Sequence, residues 1–212
     1  MSAAPYFANH DRRKRFPWSL YHRELEQRVE AAVRAHGSSP RVLVVGCGLE
    51  PRIAGVPAET SFACDIDEAA IRACAARFPE LAGRLALCPS EVELPALDGA
   101  PFDVVVAKEV VEHLGDPPRW ARALSTRVAL GGSLIITTPN YGRFSTLALL
   151  ESTVLELVAR RDGWSRATLH PSRFDRERLA TLDVGAGMAL VAVSATRTGW
   201  ALFGHWRRVA AQ

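Results

Sequence analysis

The stretch Val42-Leu43-Val44-Val45-Gly46-Cys47-Gly48 decides the fold. Four branched apolar residues in a row suit a short strand buried on both faces, as strands of a parallel sheet are. Gly46 follows at once and Gly48 one residue later. The strand therefore ends in a tight bend, where the absence of a Cβ lets backbone and its N–H groups approach a ligand.

Reading outward, further strands are expected at 61–64, 85–88, 102–107 and 133–137, the last entered through a Gly131-Gly132 turn. Helices are expected at about 68–77 and 117–129 between them. Alternation at this spacing means a parallel sheet with right-handed crossovers. Upstream, residues 1–15 read as a loose arm. Residues 19–36 read as a helix with Leu25, Val29, Ala32 and Val33 on one stripe, stopped by His36-Gly37-Ser38-Ser39-Pro40. Downstream, a helix is expected at 175–182 and strands at 188–196 and 200–209. The segment 141–170 is an insertion whose apolar stretch 147–159 either packs on the domain or forms a lid. The expectation is one α/β domain over 1–212, a Rossmann-like three-layer sandwich of six to seven mostly parallel strands.

The chain has 212 residues, of which 48% are hydrophobic, enough for one such core. No run approaches the roughly 20 apolar residues of a membrane span, and no signal core follows the N-terminus, so a cytoplasmic protein is expected. Cys47, Cys64, Cys74 and Cys88 show no CxxC spacing and read as small reduced core residues. A net charge of +3 is too mild to argue for nucleic acid. The clusters Arg12-Arg13-Lys14-Arg15 and Arg207-Arg208 read mainly as solvated surface, with an anionic or membrane-surface partner as the minority reading.

The second strand ends in Cys64-Asp65-Ile66-Asp67. A carboxylate there can accept both hydroxyl hydrogens of an adenosine ribose, whereas Asp67 suits the N-cap of the following helix. A dinucleotide loop would place a third glycine at position 51, and Pro51 stands there. No pyrophosphate cradle results, which disfavours an NAD-dependent reductase.

The run 41–140 resembles the class I S-adenosylmethionine (SAM)-dependent methyltransferases, in particular the branch containing the ubiquinone-biosynthesis O-methyltransferases. The matching pieces are 42–48, 63–67, Phe102-Asp103 with Glu109-Val110-Val111-Glu112-His113-Leu114, and Gly131-Gly132 through Thr138-Pro139-Asn140. The resemblance implies that Gly46, Cys47 and Gly48 lie along the methionine part of SAM, that Ile66 packs on adenine, and that Lys108 lines the sulfonium side. It also implies that Arg28 meets the cofactor carboxylate, against the plainer reading of a surface arginine. Two departures stand out. Glu50 lies near a position where the family often has glycine. Ser90 and Glu91 follow the third strand where the family often has aspartate, and either could accept from adenine's amino group.

Methyl transfer to a hydroxyl needs an in-line nucleophile and a proton acceptor. Glu109, Glu112 and His113 would share one face of a helical turn at the carboxyl end of the fourth strand. His113 is a candidate general base, since an unperturbed imidazole titrates near neutrality. The same residues with His170 could instead hold a divalent metal, which would acidify a bound hydroxyl. A purely structural role for the turn is the third alternative. The expected function is O-methylation of a small-molecule hydroxyl or carboxyl group in a biosynthetic pathway. The alternatives are an RNA 2′-O-methyltransferase with a metal, and a SAM-binding protein without turnover. Trp18 and Trp164 are candidate aromatic walls for an acceptor.

Overall fold

The computed structural model describes residues 18–98, 100–143, 145–146 and 170–210. The elements are α1 (Trp18–Arg34), β1 (Val42–Val45), β2 (Ser61–Asp65), α2 (Glu68–Arg77), β3 (Leu85–Leu87), β4 (Phe102–Lys108), α3 (Pro117–Ser125), β5 (Val128–Pro139), α4 (Arg176–Ala180), β6 (Met188–Ala195) and β7 (Ala201–Arg208). The seven strands form one sheet in the order β3-β2-β1-β4-β5-β7-β6. β1 to β5 pair in parallel, and β7 runs antiparallel to both β5 and β6. The Rossmann-like layered architecture expected from the alternation is the one observed.

Strand alternation divides the core in two. Leu43, Val45, Val105 and Ala107 point to one face, where they meet Trp120 and Leu124 of α3 and Leu179 of α4. Val42, Val44, Val104 and Val106 point to the other, against Leu25, Val29 and Val33 of α1 and Cys74 of α2. Both faces of β1 and β4 are thus dry, which is why these strands read as unbroken apolar runs. The four-residue spacing of Leu25, Val29 and Val33 keeps one stripe of α1 on the sheet. Asp67, Asp116 and Asp175 cap α2, α3 and α4, each accepting a backbone N–H of the first turn.

One expected turn is a distortion within a strand. β5 starts at Val128 and runs through Gly131-Gly132, with a register shift between Phe102 and Val104 on β4. Gly131 has φ 76°, and a Cβ on Gly132 would stand 2.8 Å from the carbonyl oxygens of Ala129 and Asp103. Glycine is needed there for the close approach of two strands. The basic cluster at 12–15, Trp164 and the apolar stretch 147–159 lie outside the described residues. Arg207 and Arg208 donate to the carbonyls of Gly131, Ser125 and Val128, so this pair ties β7 to the start of β5 and the end of α3. No helix among the described residues is long and apolar enough to cross a membrane.

Candidate functional site at the carboxyl ends of the strands

The bend after β1 and the tip of β2 form one unit. Gly46 and Gly48 have φ of 66° and 52°, the left-handed region that glycine enters without strain. The N–H groups of Gly46 and Cys47 donate to Cys64 O at 2.9 and 3.2 Å, and Gly48 N donates to Asp65 Oδ2 at 2.7 Å. The expectation that this loop turns its N–H groups to a ligand is therefore corrected: they are satisfied within the fold. A Cβ on Gly46 would collide with the side chain of Val110, so the neighbouring turn itself demands glycine. Asp65 is 8% exposed, and its Oδ1 accepts from Asp67 N at 2.9 Å. Each carboxylate oxygen thus takes one backbone donor and keeps capacity for a second. Ile66, beside it, is 56% exposed, an apolar side chain standing at the strand tip.

The thiols support the same bend. Cys74 Sγ and Cys47 Sγ lie 3.2 and 3.7 Å from Gly48 O. All four cysteines are free and buried. Hydrogen bonding to Cys74, then burial, raises the Cys47 thiol pKa, and Cys88 followed by burial does the same to Cys64. Cys47 and Cys64 are therefore protonated packing groups.

At the end of β4 the chain does not continue as the expected helical turn. Glu109 has φ 55°, and a single 3₁₀ turn spans Val111–His113. Glu109 consequently leaves the face shared by Glu112 and His113. Glu112 is 1% exposed, accepts from Thr138 Oγ1 at 3.1 Å and stands 3.9 Å from His113 Nε2. The rings of His113 and His170 meet edge to face at 4.8 Å. His170 arrives on a segment tied to the turn: Ser172 N donates to Glu112 O, and Ser172 Oγ donates to Leu114 O. Tyr141 Oη bonds His170 Nδ1 at 2.5 Å. Glu112, His113 and His170 offer ligand atoms within 4.8 Å of one another. Three of the four expected metal-ligand candidates are thus assembled, and Glu109 stands apart, its Oε2 3.9 Å from His22 Nδ1.

Other expected contacts fall differently. Arg28 donates to Glu24 at 2.6 Å and to Ser194 of β6 at 2.9 Å, which directs it across the sheet rather than toward the bend after β1. Lys108 turns its ammonium to Glu50 at 3.6 Å. Ser90 Oγ accepts from Glu93 N, while Glu91 is exposed. A cavity of about 350 Å³ lies behind the bend, between α1 and the end of α2, lined in part by Val29, Leu49, Ile53, Phe78 and Lys108. Asp65, Glu112 and His113 do not line it. His22 and Tyr141 were given no role in the reading of the sequence, and Thr138 entered it only as part of the matching stretch through Thr138-Pro139-Asn140.

The family described as methyltransferase domain matches residues 12–193. The chain is 34% identical over 108 residues to a ubiquinone biosynthesis O-methyltransferase of a Caulobacter species, covering 47% of this chain and 41% of that protein. It is 32% identical over 130 residues to a probable S-adenosylmethionine-dependent methyltransferase of Mycobacterium tuberculosis, covering 60% and 44%. The chain therefore spans less than half the length of these relatives. Its fold is similar to that of the magnesium protoporphyrin IX methyltransferase of Synechocystis, solved with bound S-adenosylhomocysteine (SAH), with a TM-score of 0.66 at 16% identity over 97% of this chain and 95% of that one.

Proposed function

Because this chain belongs to the methyltransferase-domain family, we propose that it transfers a methyl group from SAM to a hydroxyl of a small biosynthetic molecule. The observation that carries the reading is Asp65, a nearly buried carboxylate at the tip of β2 whose two oxygens retain acceptor capacity beside an exposed Ile66. The residues present fit an adenosine: Asp65 would take the ribose hydroxyls and Ile66 the adenine face. Exposed Glu91 is the better acceptor for the adenine amino group, since Ser90 Oγ already holds Glu93 N. When bound, SAM supplies an electrophilic methyl group on a sulfonium.

The remaining work falls to the turn after β4. Loss of the acceptor's hydroxyl proton needs a base within hydrogen-bond reach, and His113 offers a partly exposed imidazole at the turn after β4. Glu112, nearly buried and held by Thr138, presents a carboxylate toward His113 Nε2, where an imidazolium would be stabilised. Tyr141 holds His170 by Nδ1, which fixes the ring beside His113. A second reading has a specific support. Glu112, His113 and His170 form a mixed oxygen and nitrogen donor set, with Thr138 and Tyr141 as outer partners of the kind that orient ligands. A divalent cation there would lower the pKa of the acceptor hydroxyl.

The RNA 2′-O-methyltransferase alternative needs a basic groove beside Glu109. Lys108, the nearest lysine in sequence, is paired with Glu50, which disfavours it. The cluster of Glu112, His113 and His170 weighs against a SAM-binding protein without turnover.

Calorimetry with SAM tests the cofactor site. The parent protein binds, and Asp65→Ala loses measurable binding; equal affinity would remove Asp65 from the site. In the same preparation, turnover that survives excess chelator assigns His113 as a metal-free base, and turnover that stops and returns with added divalent metal supports the three-donor reading.

A further inference from the structure

Glu109 is the one non-glycine residue with positive φ among the described residues. A side chain held in that conformation is strained, and such strain persists where the surroundings require it. The Glu109 side chain is only 9% exposed, and its Oε1 is buried without a hydrogen-bond partner. A buried carboxylate oxygen lacking a donor is costly, and a ligand that supplies one removes the cost. Glu109 lies outside the three-donor cluster of Glu112, His113 and His170, so that cluster does not explain it.

Its position narrows the ligand. Both chain neighbours touch the bend after β1: Lys108 reaches Glu50, and Val110 fills the space where a Cβ on Gly46 would sit. Glu109 is therefore set between β4 and that bend, under α1, which contributes His22 beside Oε2. A cationic donor arriving there would make the strongest such bond with a carboxylate. We propose that Glu109 Oε1 accepts the α-ammonium of bound SAM, with His22 positioning the carboxylate from α1. On this assignment, Glu109 with His22 anchors the amino-acid end of the cofactor, and Arg28, engaged by Glu24 and Ser194, does not. The assignment rests on the SAM reading given above.

Two probes isolate the interaction by calorimetry. SAH carries the ammonium, and 5′-methylthioadenosine has the same adenosine and sulfur without the amino-acid end. Glu109→Gln is expected to weaken SAH binding by about tenfold or more and to leave 5′-methylthioadenosine near its parent affinity. On the parent protein, the desamino analogue of SAH is expected to bind about tenfold more weakly than SAH. That arm needs no variant to fold. Undiminished SAH affinity in Glu109→Gln, equal weakening of both ligands, or a desamino analogue as tight as SAH would each overturn the assignment. A parent protein that binds neither SAH nor 5′-methylthioadenosine would instead bring down the cofactor reading itself.

Discussion

Two pairs of histidines stand toward opposite ends of the sheet, each organised by hydroxyls and a charged neighbour. At the carboxyl end, His113 and His170 meet beside buried Glu112, with Thr138 on the carboxylate and Tyr141 on His170. Toward the amino end, His36 Nε2 and His205 Nε2 lie 2.9 and 2.8 Å from the single hydroxyl of Ser133, which is 1% exposed. The nearby charge that acts on both of these rings is cationic Arg207. Burial, then Arg207, lowers the pKa of His36; burial, then His36 and Arg207, lowers that of His205. Two neutral imidazoles can share one hydroxyl, one accepting its proton and the other donating to its oxygen. The same residue type thus serves two ends. A buried carboxylate stands beside the upper pair, as the proposed base requires, and an arginine neighbour with burial keeps the lower pair neutral as a structural pin.

The contrast can be broken most decisively by kinetics. His113→Gln is expected to lower kcat by about 10²- to 10⁴-fold with cofactor affinity retained, while His205→Gln leaves kcat near the parent value. Equal losses would erase the distinction. A smaller effect belongs to the lower pair alone. Ser133→Ala strips both rings of their shared partner and should cost about 1–3 kcal/mol in denaturant unfolding, with SAH affinity unchanged. A neutral change in stability would mean that the pin carries no weight.

The smallest effect is on pH dependence. His36 and His205 have folded-state pKa values below the ordinary 6.5, so the unfolded chain takes up protons first as pH falls. Their contribution to stability is present above about pH 6.5 and is lost as pH drops through the folded values. The melting temperature of the parent should therefore fall between about pH 7.5 and pH 5.5 by a few degrees more than that of the His36→Gln/His205→Gln variant. Parallel curves would show that the two imidazoles titrate in the fold as they do in the open chain.

Much of the framework was legible along the chain. The apolar runs of β1 and β4 and the helix stripe at Leu25, Val29 and Val33 announce their elements, because burial on one or two faces writes itself into local periodicity. Asp65 and Asp67 were assigned to different tasks from their offset, and the structure gives Asp67 the α2 cap and Asp65 the strand tip. The reading failed where it assumed regularity. A helical turn over 109–113 would place Glu109 with Glu112 and His113, and the positive φ at Glu109 removes it. The N–H groups of the glycine bend were read as open to a ligand, yet Cys64 and Asp65 take them.

Sequence alone determined the order of strands and helices and which carboxylate ends β2, because those features depend on residues a few positions apart, although the helix read over 117–129 ends at Ser125 and β5 already begins at Val128. Tertiary structure decided which distant residues meet: His22 with Glu109, Tyr141 with His170, and Arg28 with Ser194. Those contacts join segments far apart along the chain. They follow from how α1 and the segments after β4 and β5 are brought together on the sheet, which local hydrophobic pattern does not encode.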